Sequence, residues 1–214
     1  MKVIAINGSP RKDGNTASLL QKALEGAKSM GADTEIIYLY DLNFKGCTSC
    51  FACKIKDSKY IGRCAMKDDL TSILEKISGC DVLLLGSPIY LGNITGEMHS
   101  FLERLIFPNI TYNAGIASFF KGKVSTAFIY TMNVTEEIVQ KQNYKAIFNC
   151  NKNYLEKLNG TSEFLISTDT YQFSDYAKYE APMFDEKHKA QVKTNQFPIE
   201  CQKAFDMGAR LAVL

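Results

Sequence analysis

The stretch that decides the fold runs from Val3 to Thr16 and reads Val3-Ile4-Ala5-Ile6-Asn7-Gly8-Ser9-Pro10-Arg11-Lys12-Asp13-Gly14-Asn15-Thr16. Its first four residues form a short apolar run, which is typical of a strand buried on both faces. The polar, glycine- and proline-containing residues that follow indicate a loop. From Leu19 to Ala27 the apolar residues recur at helical spacing, and Gly31 then ends the predicted helix. The stretch therefore predicts strand, loop and helix in that order.

The same alternation continues to the end of the chain. Apolar runs predict further strands at residues 35–39, 82–85, 124–130 and 164–166. Apolar residues at helical spacing predict helices over residues 70–77, 95–105, 144–158 and 199–211. Strands buried on both faces and separated by helices are typical of a parallel sheet that is covered on each side. Five such strands favour the α/β flavodoxin-like doubly wound fold, with strand order 2-1-3-4-5 and helices on both faces.

Length and composition limit the classes of protein that remain. The 214 residues are 46% hydrophobic and 22% charged, which is typical of one folded domain and excludes intrinsic disorder. No linker composition divides the chain, so residues 1–214 are predicted to be a single domain. A formal net charge of +2 gives no field that would attract nucleic acid or an anionic membrane. No apolar run approaches the roughly 20 residues that span a bilayer, and no signal peptide is recognisable. We therefore expect a cytoplasmic protein.

The loop after strand 1 combines residues that suit a phosphate group. In a doubly wound sheet, ligands bind beyond the carboxyl ends of strands 1 and 3, where the winding reverses. The loop lacks the endings of a P-loop and of a dinucleotide-binding turn, but it leads into a helix N-terminus, which favours an anion. The candidate phosphate-binding residues are Ser9, Arg11, Gly14, Asn15 and Thr16. The alternative is an ordinary connection in which Thr16 only caps the helix.

The loop after strand 3 places a tyrosine among small, bendable residues. Residues 86–96 read Gly-Ser-Pro-Ile-Tyr-Leu-Gly-Asn-Ile-Thr-Gly, and Tyr90 could stack on a flat heterocycle. The alternative is a surface tyrosine in a turn, which would be preferred if this loop stood alone. A phosphate site and an aromatic platform at one switch point together predict a site for flavin mononucleotide (FMN).

These two loops resemble those of the NADPH-dependent FMN reductase family. The resemblance rests on Gly8–Arg11 with Gly14–Thr16, and on Ser87–Tyr90 with Gly92-Asn93 and Phe101–Arg104. It covers residues 1 to about 165, and it implies a homo-oligomer, a dimer or tetramer, with the flavin near a subunit interface. It implies that Ser9, Arg11, Asn15 and Thr16 hold the FMN phosphate. The implied ring contacts are Pro88, Ile89, Tyr90, Leu91, Gly92 and Asn93, completed by Thr131, Met132 and Asn133.

The seven cysteines are unevenly distributed. Cys47, Cys50 and Cys53 form a C-x2-C-x2-C motif, and Cys64 follows within a cysteine-rich insertion at residues 43–66. An odd count without a secretory signal favours reduced thiols over a disulfide framework. The four residues could bind a [4Fe–4S] cluster, could bind zinc, or could remain metal-free as thiols or a labile disulfide near the flavin. The loop is similar to that of the iron–sulfur flavoproteins, although their fourth cysteine lies closer than Cys64 does.

Residues 169–198 are rich in aromatic side chains but show no clear periodicity. We interpret this segment as a loop that packs at a subunit interface or over the flavin, with core filling as a further option. Its aromatic residues include Tyr171, Phe173, Tyr176, Tyr179 and Phe184. Neither His99 nor His188 has a partner that the sequence reveals, so no catalytic side chain is predicted.

The sequence therefore predicts an FMN-dependent oxidoreductase. By the resemblance, it would transfer a hydride from NAD(P)H to a small acceptor such as a quinone, a flavin or another electrophile. The flavin would supply the chemistry, and the protein would supply position and electrostatics. One alternative is an electron carrier in which an iron–sulfur cluster and FMN exchange electrons with a ferredoxin-like partner. Another is a flavin-binding regulator without turnover.

Overall fold

The computed structural model describes residues 1–213. The strands are β1 (Lys2–Asn7), β2 (Asp33–Tyr38), β3 (Val82–Tyr90), β4 (Asn93–Ile94), β5 (Val124–Thr131) and β6 (Asn159–Ser167). The helices are α1 (Asn15–Ser29), α2 (Leu70–Ser78), α3 (Gly96–Ile106), α4 (Glu136–Lys141), α5 (Tyr144–Leu155), α6 (Glu186–Asn195) and α7 (Phe197–Leu211).

Five parallel strands form the main sheet in the order β2-β1-β3-β5-β6. Counted without the two-residue strand β4, this is the predicted order 2-1-3-4-5, so the predicted flavodoxin-like fold is confirmed. Strand β4 pairs antiparallel with the end of β3 and makes a tight hairpin there. Leu91 and Gly92 at its tip both have positive φ, as the common two-residue hairpin turn requires.

Alternating side chains of the central strands fill two separate cores. In β3, Leu83 and Leu85 face one side of the sheet, while Val82 and Leu84 face the other. The first core is completed by α2, α3 and α5, and the second by α1 and α7. All four of these side chains are at most 1% exposed. Burial on both faces explains why the strands read as continuous apolar runs.

The structure differs from the prediction in the last third of the chain. Strand β6 begins at Asn159, whereas the apolar pattern placed only residues 164–166 in a strand. The segment at 169–198 is not a loop throughout, because residues 186–195 form helix α6. Its sequence is polar, and the helix is fixed by an Asp185 cap that accepts the backbone N–H groups of Lys187 and His188. Short-range periodicity could not reveal a helix with so few apolar residues.

In the part of the chain that the structure describes, no helix has the combination of length and apolar character needed for a membrane crossing.

Candidate ligand site and cysteine loop

Three loops meet at the carboxyl ends of β1, β3 and β5. The backbone N–H of Gly8 donates to the carbonyl of Gly86 at 2.8 Å, which joins the first loop to the second. The hydroxyl of Thr16 lies 2.7 Å from that of Thr131, which joins the start of α1 to the end of β5. Strand order alone explains this meeting, because neighbouring parallel strands end at the same edge of the sheet.

The loop after β1 is folded back on itself by short polar contacts. The side-chain oxygen of Asn7 accepts the backbone N–H of Ser9 at 2.8 Å, and the Ser9 hydroxyl accepts that of Arg11 at 3.1 Å. Gly14, which precedes α1, provides no side-chain cap. The first N–H groups of α1 therefore face the loop without a capping side chain, which favours an anion there.

Two of the predicted phosphate-binding side chains contact the segment that follows β6. Arg11 Nη1 donates to the carbonyl of Gln172 at 2.7 Å, and Asn15 Nδ2 donates to the carbonyl of Tyr171 at 3.0 Å. The aromatic-rich segment thus lies against the loop after β1. The sequence predicted both Arg11 and Asn15 to lie in the loop, whereas Asn15 is the first residue of α1, and it gave no sign of these backbone acceptors.

The hairpin and the loop after β5 form the walls of a cleft of about 520 Å³. This volume falls in the range of sites for small molecules and cofactors. Its lining residues are mainly apolar and include no carboxylate, imidazole, thiol or amine. They are Ile89, Leu91, Gly92, Met132, Asn133, Val134, Gln142, Tyr144 and Ile147. Five of the predicted ring-contacting residues therefore lie together.

Pro88, Tyr90, Asn93 and Thr131 are not among the lining residues. Along a strand, successive side chains point to opposite faces, so the hairpin presents Ile89 and Leu91 to the cleft and turns Tyr90 away. Tyr90 is 48% exposed. Burial raises the pKa of Tyr40 to about 12, with further contributions from its hydrogen bond to Glu97 and from the nearby Tyr90. Tyr90 is therefore not one of the residues that line this cleft, and its role as a stacking surface for a flat ring stays a prediction.

Two buried polar atoms near these loops have no partner among the described residues. They are the amide nitrogen of Asn7, at the end of β1, and the amide oxygen of Asn133, in the cleft wall. A buried polar atom without a partner costs about 1–3 kcal/mol, so each one needs an explanation. One is a donor and the other an acceptor. Asn133 was among the residues predicted from sequence to contact the ring and Asn7 was not, although an asparagine that ends a buried strand is a usable signal.

A charged cluster fixes the loop after β5 from behind. The ammonium group of Lys189, a residue only 4% exposed, donates to the carbonyl of Asn133 at 2.7 Å and to the carboxylate of Asp169. His188 Nε2 lies 2.5 Å from the other oxygen of Asp169. Burial alone would raise the pKa of Asp169, but the hydrogen bonds from Lys189 and His188 outweigh it and lower that pKa. None of these three residues was predicted to belong to the site.

Arg104 connects the cysteine loop to α3. Its buried guanidinium donates to the carboxylate of Asp68 at 2.7 and 3.0 Å and to the carbonyl of Lys45 at 2.8 Å. Its Nε donates to the sulfur of Cys64 at 2.9 Å. Hydrogen bonding to Arg104 holds the pKa of Asp68 below its ordinary value, although burial acts in the opposite direction. The loop is therefore fixed near its end by a paired, buried cation.

The four clustered cysteines differ in exposure. Cys53 is buried, Cys47 and Cys64 are partly buried, and Cys50 is exposed. Burial raises the pKa of the Cys53 thiol, and negative charge on Cys47 and Cys50 adds to this effect. Within residues 1–213, no three Cys, His, Asp or Glu side chains converge closely enough to hold a metal ion. In this arrangement the four cysteine side chains do not fit an iron–sulfur cluster.

A five-stranded doubly wound sheet with an uncapped helix N-terminus and a cleft at its switch point defines a protein of the flavodoxin-like class. The model of the NADPH-dependent FMN reductase family matches residues 1–153, and the chain belongs to this family.

Curated relatives support the predicted likeness to iron–sulfur flavoproteins. One from Archaeoglobus fulgidus is 42% identical over 104 residues, covering 49% of this chain and 48% of the relative. Another from Methanocaldococcus jannaschii is 38% identical over 104 residues, covering 49% and 51%. Both are named iron–sulfur flavoproteins. The matched stretch thus spans about half the length of these curated relatives.

Among solved structures, the fold is similar to that of an NAD(P)H:quinone oxidoreductase from Methanothermobacter marburgensis. The TM-score is 0.69 at 16% identity, covering 99% of this chain and 98% of the other. At that identity the likeness concerns the fold.

Proposed function

We propose that this protein is an FMN-dependent oxidoreductase that transfers a hydride from NAD(P)H to a small acceptor. The proposal rests mainly on one observation: at the switch point of the sheet, a loop suited to an anion lies next to a mainly apolar cleft of about 520 Å³. Family membership supports the same conclusion. A phosphate and a flat ring on one ligand would use both parts.

The residues present fit FMN. The partnerless amide nitrogen of Asn7 suits an oxygen of the phosphate or of its linker, and the partnerless amide oxygen of Asn133 suits a ring N–H. We propose that Ser9, Arg11, Gly14, Asn15 and Thr16 hold the phosphate. Ile89, Leu91, Gly92, Met132 and Asn133 would enclose the ring, while Pro88, Tyr90, Asn93 and Thr131 shape the hairpin and the strand end behind it.

When bound, FMN would supply the hydride and electron chemistry, and the protein would position it. The cleft walls would exclude water from one side of the ring, and Asn133 would fix its orientation. The lining contains no carboxylate, imidazole, thiol or amine, so we assign no general acid or base. The open side admits the nicotinamide and the acceptor in turn. Hydroquinone-forming acceptors such as quinones, or free flavins, are compatible with this arrangement.

We further propose that the protein works in the cytoplasm as a homodimer or homotetramer. The homo-oligomer is supported by the apolar tip of the hairpin, because the Leu91 side chain is fully exposed in the single chain. A subunit that covers this tip would also close the open side of the cleft.

Steady-state turnover tests the proposed activity. The FMN-loaded protein should oxidise NADPH or NADH continuously when a quinone or free flavin is supplied, and Met132→Trp, which fills the cleft, should abolish this. Tyr154→Trp, at an exposed position on α5, is the matched control and should leave turnover unchanged. Turnover that survives Met132→Trp would overturn the assignment of the cleft.

The second candidate is an electron carrier with an iron–sulfur cluster and a ferredoxin-like partner. It is favoured by the C-x2-C-x2-C motif and by relatives named iron–sulfur flavoproteins. Iron and acid-labile sulfide in protein purified without oxygen would support it. Their loss in Cys47→Ser but not in Cys150→Ser would assign the cysteines. Protein that holds FMN but neither iron nor sulfide would exclude this candidate.

A further inference from the structure

We propose that a second cleft, beside Cys64, binds an adenosine phosphate. This cleft, called here the Cys64 cleft, has a volume of about 420 Å³ and lies between the cysteine loop, α2 and the end of α3. It shares no lining residue with the cleft at the switch point. A volume of this size suits a mononucleotide.

Unpaired positive charge defines the rim of the Cys64 cleft. Lys59, Arg63 and Lys67 line it, and no ion pair within residues 1–213 involves any of them. Glu75 is the only acidic residue in the lining. Arg104 at the base is already neutralised by Asp68. The free charges therefore attract an anion, and three cations around one cleft suit the several oxygens of a phosphate group.

The interior of the same cleft is suited to a ring. Tyr60 and Phe120 contribute aromatic side chains, and Leu74, Leu105 and Pro108 add apolar surface. These groups would pack against a flat base while the cations hold its phosphate.

A buried acceptor without a partner points to the kind of base. Asn109 lines the cleft and is 4% exposed. Its amide nitrogen donates to the carbonyl of Leu105 at 2.8 Å, which fixes the orientation of the amide and leaves Oδ1 with no partner. This oxygen lies close to Gly62, another residue that lines the cleft: a Cβ added at Gly62 would be 3.7 Å from it. An exocyclic amine, as on adenine, would supply the missing donor.

Two sources could supply an adenosine phosphate: the adenylate half of NAD(P)H or a free nucleotide. AMP binding at this cleft does not depend on flavin chemistry. Absence of AMP binding and absence of the proposed oxidoreductase activity are therefore separate results. Both sources share the chemistry that the cleft recognises, and the experiment distinguishes them.

The test is calorimetric titration of AMP into oxidised protein saturated with FMN, which prevents AMP from occupying the FMN phosphate loop. We expect one AMP per chain with a Kd of about 1 mM or tighter. Arg63→Gln and Lys67→Gln should each weaken binding about fivefold to tenfold, because each removes a charged partner of the phosphate. Lys56→Gln is the matched control, since Lys56 is exposed on the same loop but does not line the cleft. Purine riboside monophosphate, which lacks the exocyclic amine, should bind roughly fivefold more weakly than AMP.

Competition identifies the source of the nucleotide without any turnover. If NADP⁺ displaces AMP, the cleft receives the adenylate half of the cosubstrate, and if it does not, the cleft receives a separate nucleotide. Either result supports the site. Failure of AMP to bind at several times the expected Kd of about 1 mM would overturn the proposal. Equal weakening of AMP binding by Lys56→Gln and Arg63→Gln would also overturn it.

Discussion

Asn7 and Asn133 show how single residues can point to a ligand, since among the described residues only Asn109 besides them has a buried side-chain polar atom without a partner. Each has one amide atom bonded within the chain and the other without a partner. Asn7 accepts from Ser9 and keeps its donor free, whereas Asn133 donates to Gln172 and keeps its acceptor free. An asparagine that serves only to pack in the core would have partners for both amide atoms. We therefore attribute the free donor of Asn7 and the free acceptor of Asn133 to a bound molecule that supplies the missing partners.

Arg11 provides a prediction about the phosphate. Arg11→Ala should weaken FMN binding roughly tenfold, because a charged hydrogen bond contributes about 1.5–3 kcal/mol. The measurement is a fluorescence titration of FMN into the apoprotein. Lys12→Ala is the control, since the neighbouring lysine is exposed and pairs with Asp41. Equal FMN affinity in Arg11→Ala and the parent protein would show that Arg11 serves only to hold Gln172.

Glu200 provides a prediction about pH. Its carboxylate accepts from the Ser167 hydroxyl at 2.5 Å, and burial raises its pKa above the ordinary value of 4.5 despite that bond. The neutral form is therefore favoured on folding, and this stability is complete below pH 4.5 and is lost as the pH rises through the folded-state pKa. Glu200→Gln cannot ionise, so it should be more stable than the parent protein at pH 7 and should lose this difference in acid.

Urea denaturation at several pH values measures this effect. The exposed Glu156→Gln is the control and should follow the parent protein throughout. A Glu200→Gln variant that is less stable than the parent at pH 7 would contradict the explanation.

At the scale of elements, α1 and α7 approach each other through two glycines. A Cβ at Gly208 would lie 1.8 Å from the carbonyl oxygen of Ala23, and one at Gly26 would lie 2.0 Å from that of Phe205. The clashing atoms are backbone, which cannot rotate away. The two glycines therefore set the short distance between α1 and α7, the helices that cover this face of the sheet.

Gly208→Ala should consequently lower the free energy of unfolding by about 3 kcal/mol, because the helices must separate. Gly96→Ala is the matched control: Gly96 begins α3 with open space around it, and its replacement should be neutral or slightly stabilising. Urea denaturation compares the two variants. Similar stability in both would show that α1 and α7 can shift at little cost.

Helix α6 holds the ligand loop through one lysine. Lys189→Met should lower the free energy of unfolding by about 3 kcal/mol, since it removes the buried one of the two partners of Asp169 and the donor to the Asn133 carbonyl. It should also weaken FMN binding, because Asn133 is no longer fixed. Lys187→Met, exposed on the same helix, should change neither quantity. Unchanged FMN affinity in folded Lys189→Met would separate α6 from the ligand site.

At the scale of the whole molecule, the sheet could be predicted from sequence because its strands are buried on both faces. Val82 to Leu85 reads as an unbroken apolar run for that reason, and the fold class then gives the strand order. Helix α6 could not be predicted, because its stability comes from the Asp185 cap and the buried Lys189 and not from apolar periodicity.

The loops that form the proposed ligand site could be predicted from sequence, but the contacts between distant segments around it could not. Arg11 and Asn133 lie in loops that the strands deliver to one edge. The orientation of Tyr90 depends on the hairpin register, and the Asp169–Lys189 pair depends on how the C-terminal segment returns. A short stretch of sequence predicts neither the orientation of Tyr90 nor this ion pair, since both depend on how separate segments of the chain pack together.

Anaerobic mixing of the FMN-loaded protein with NADPH tests the proposed hydride transfer. We expect the visible flavin band to bleach in a single rapid phase, and NADPH deuterated at the transferred position to slow this phase. Arg11→Ala loaded with excess FMN should bleach with the same isotope effect, since Arg11 only holds the cofactor. A band that dithionite bleaches but that neither NADPH nor NADH affects would contradict the account.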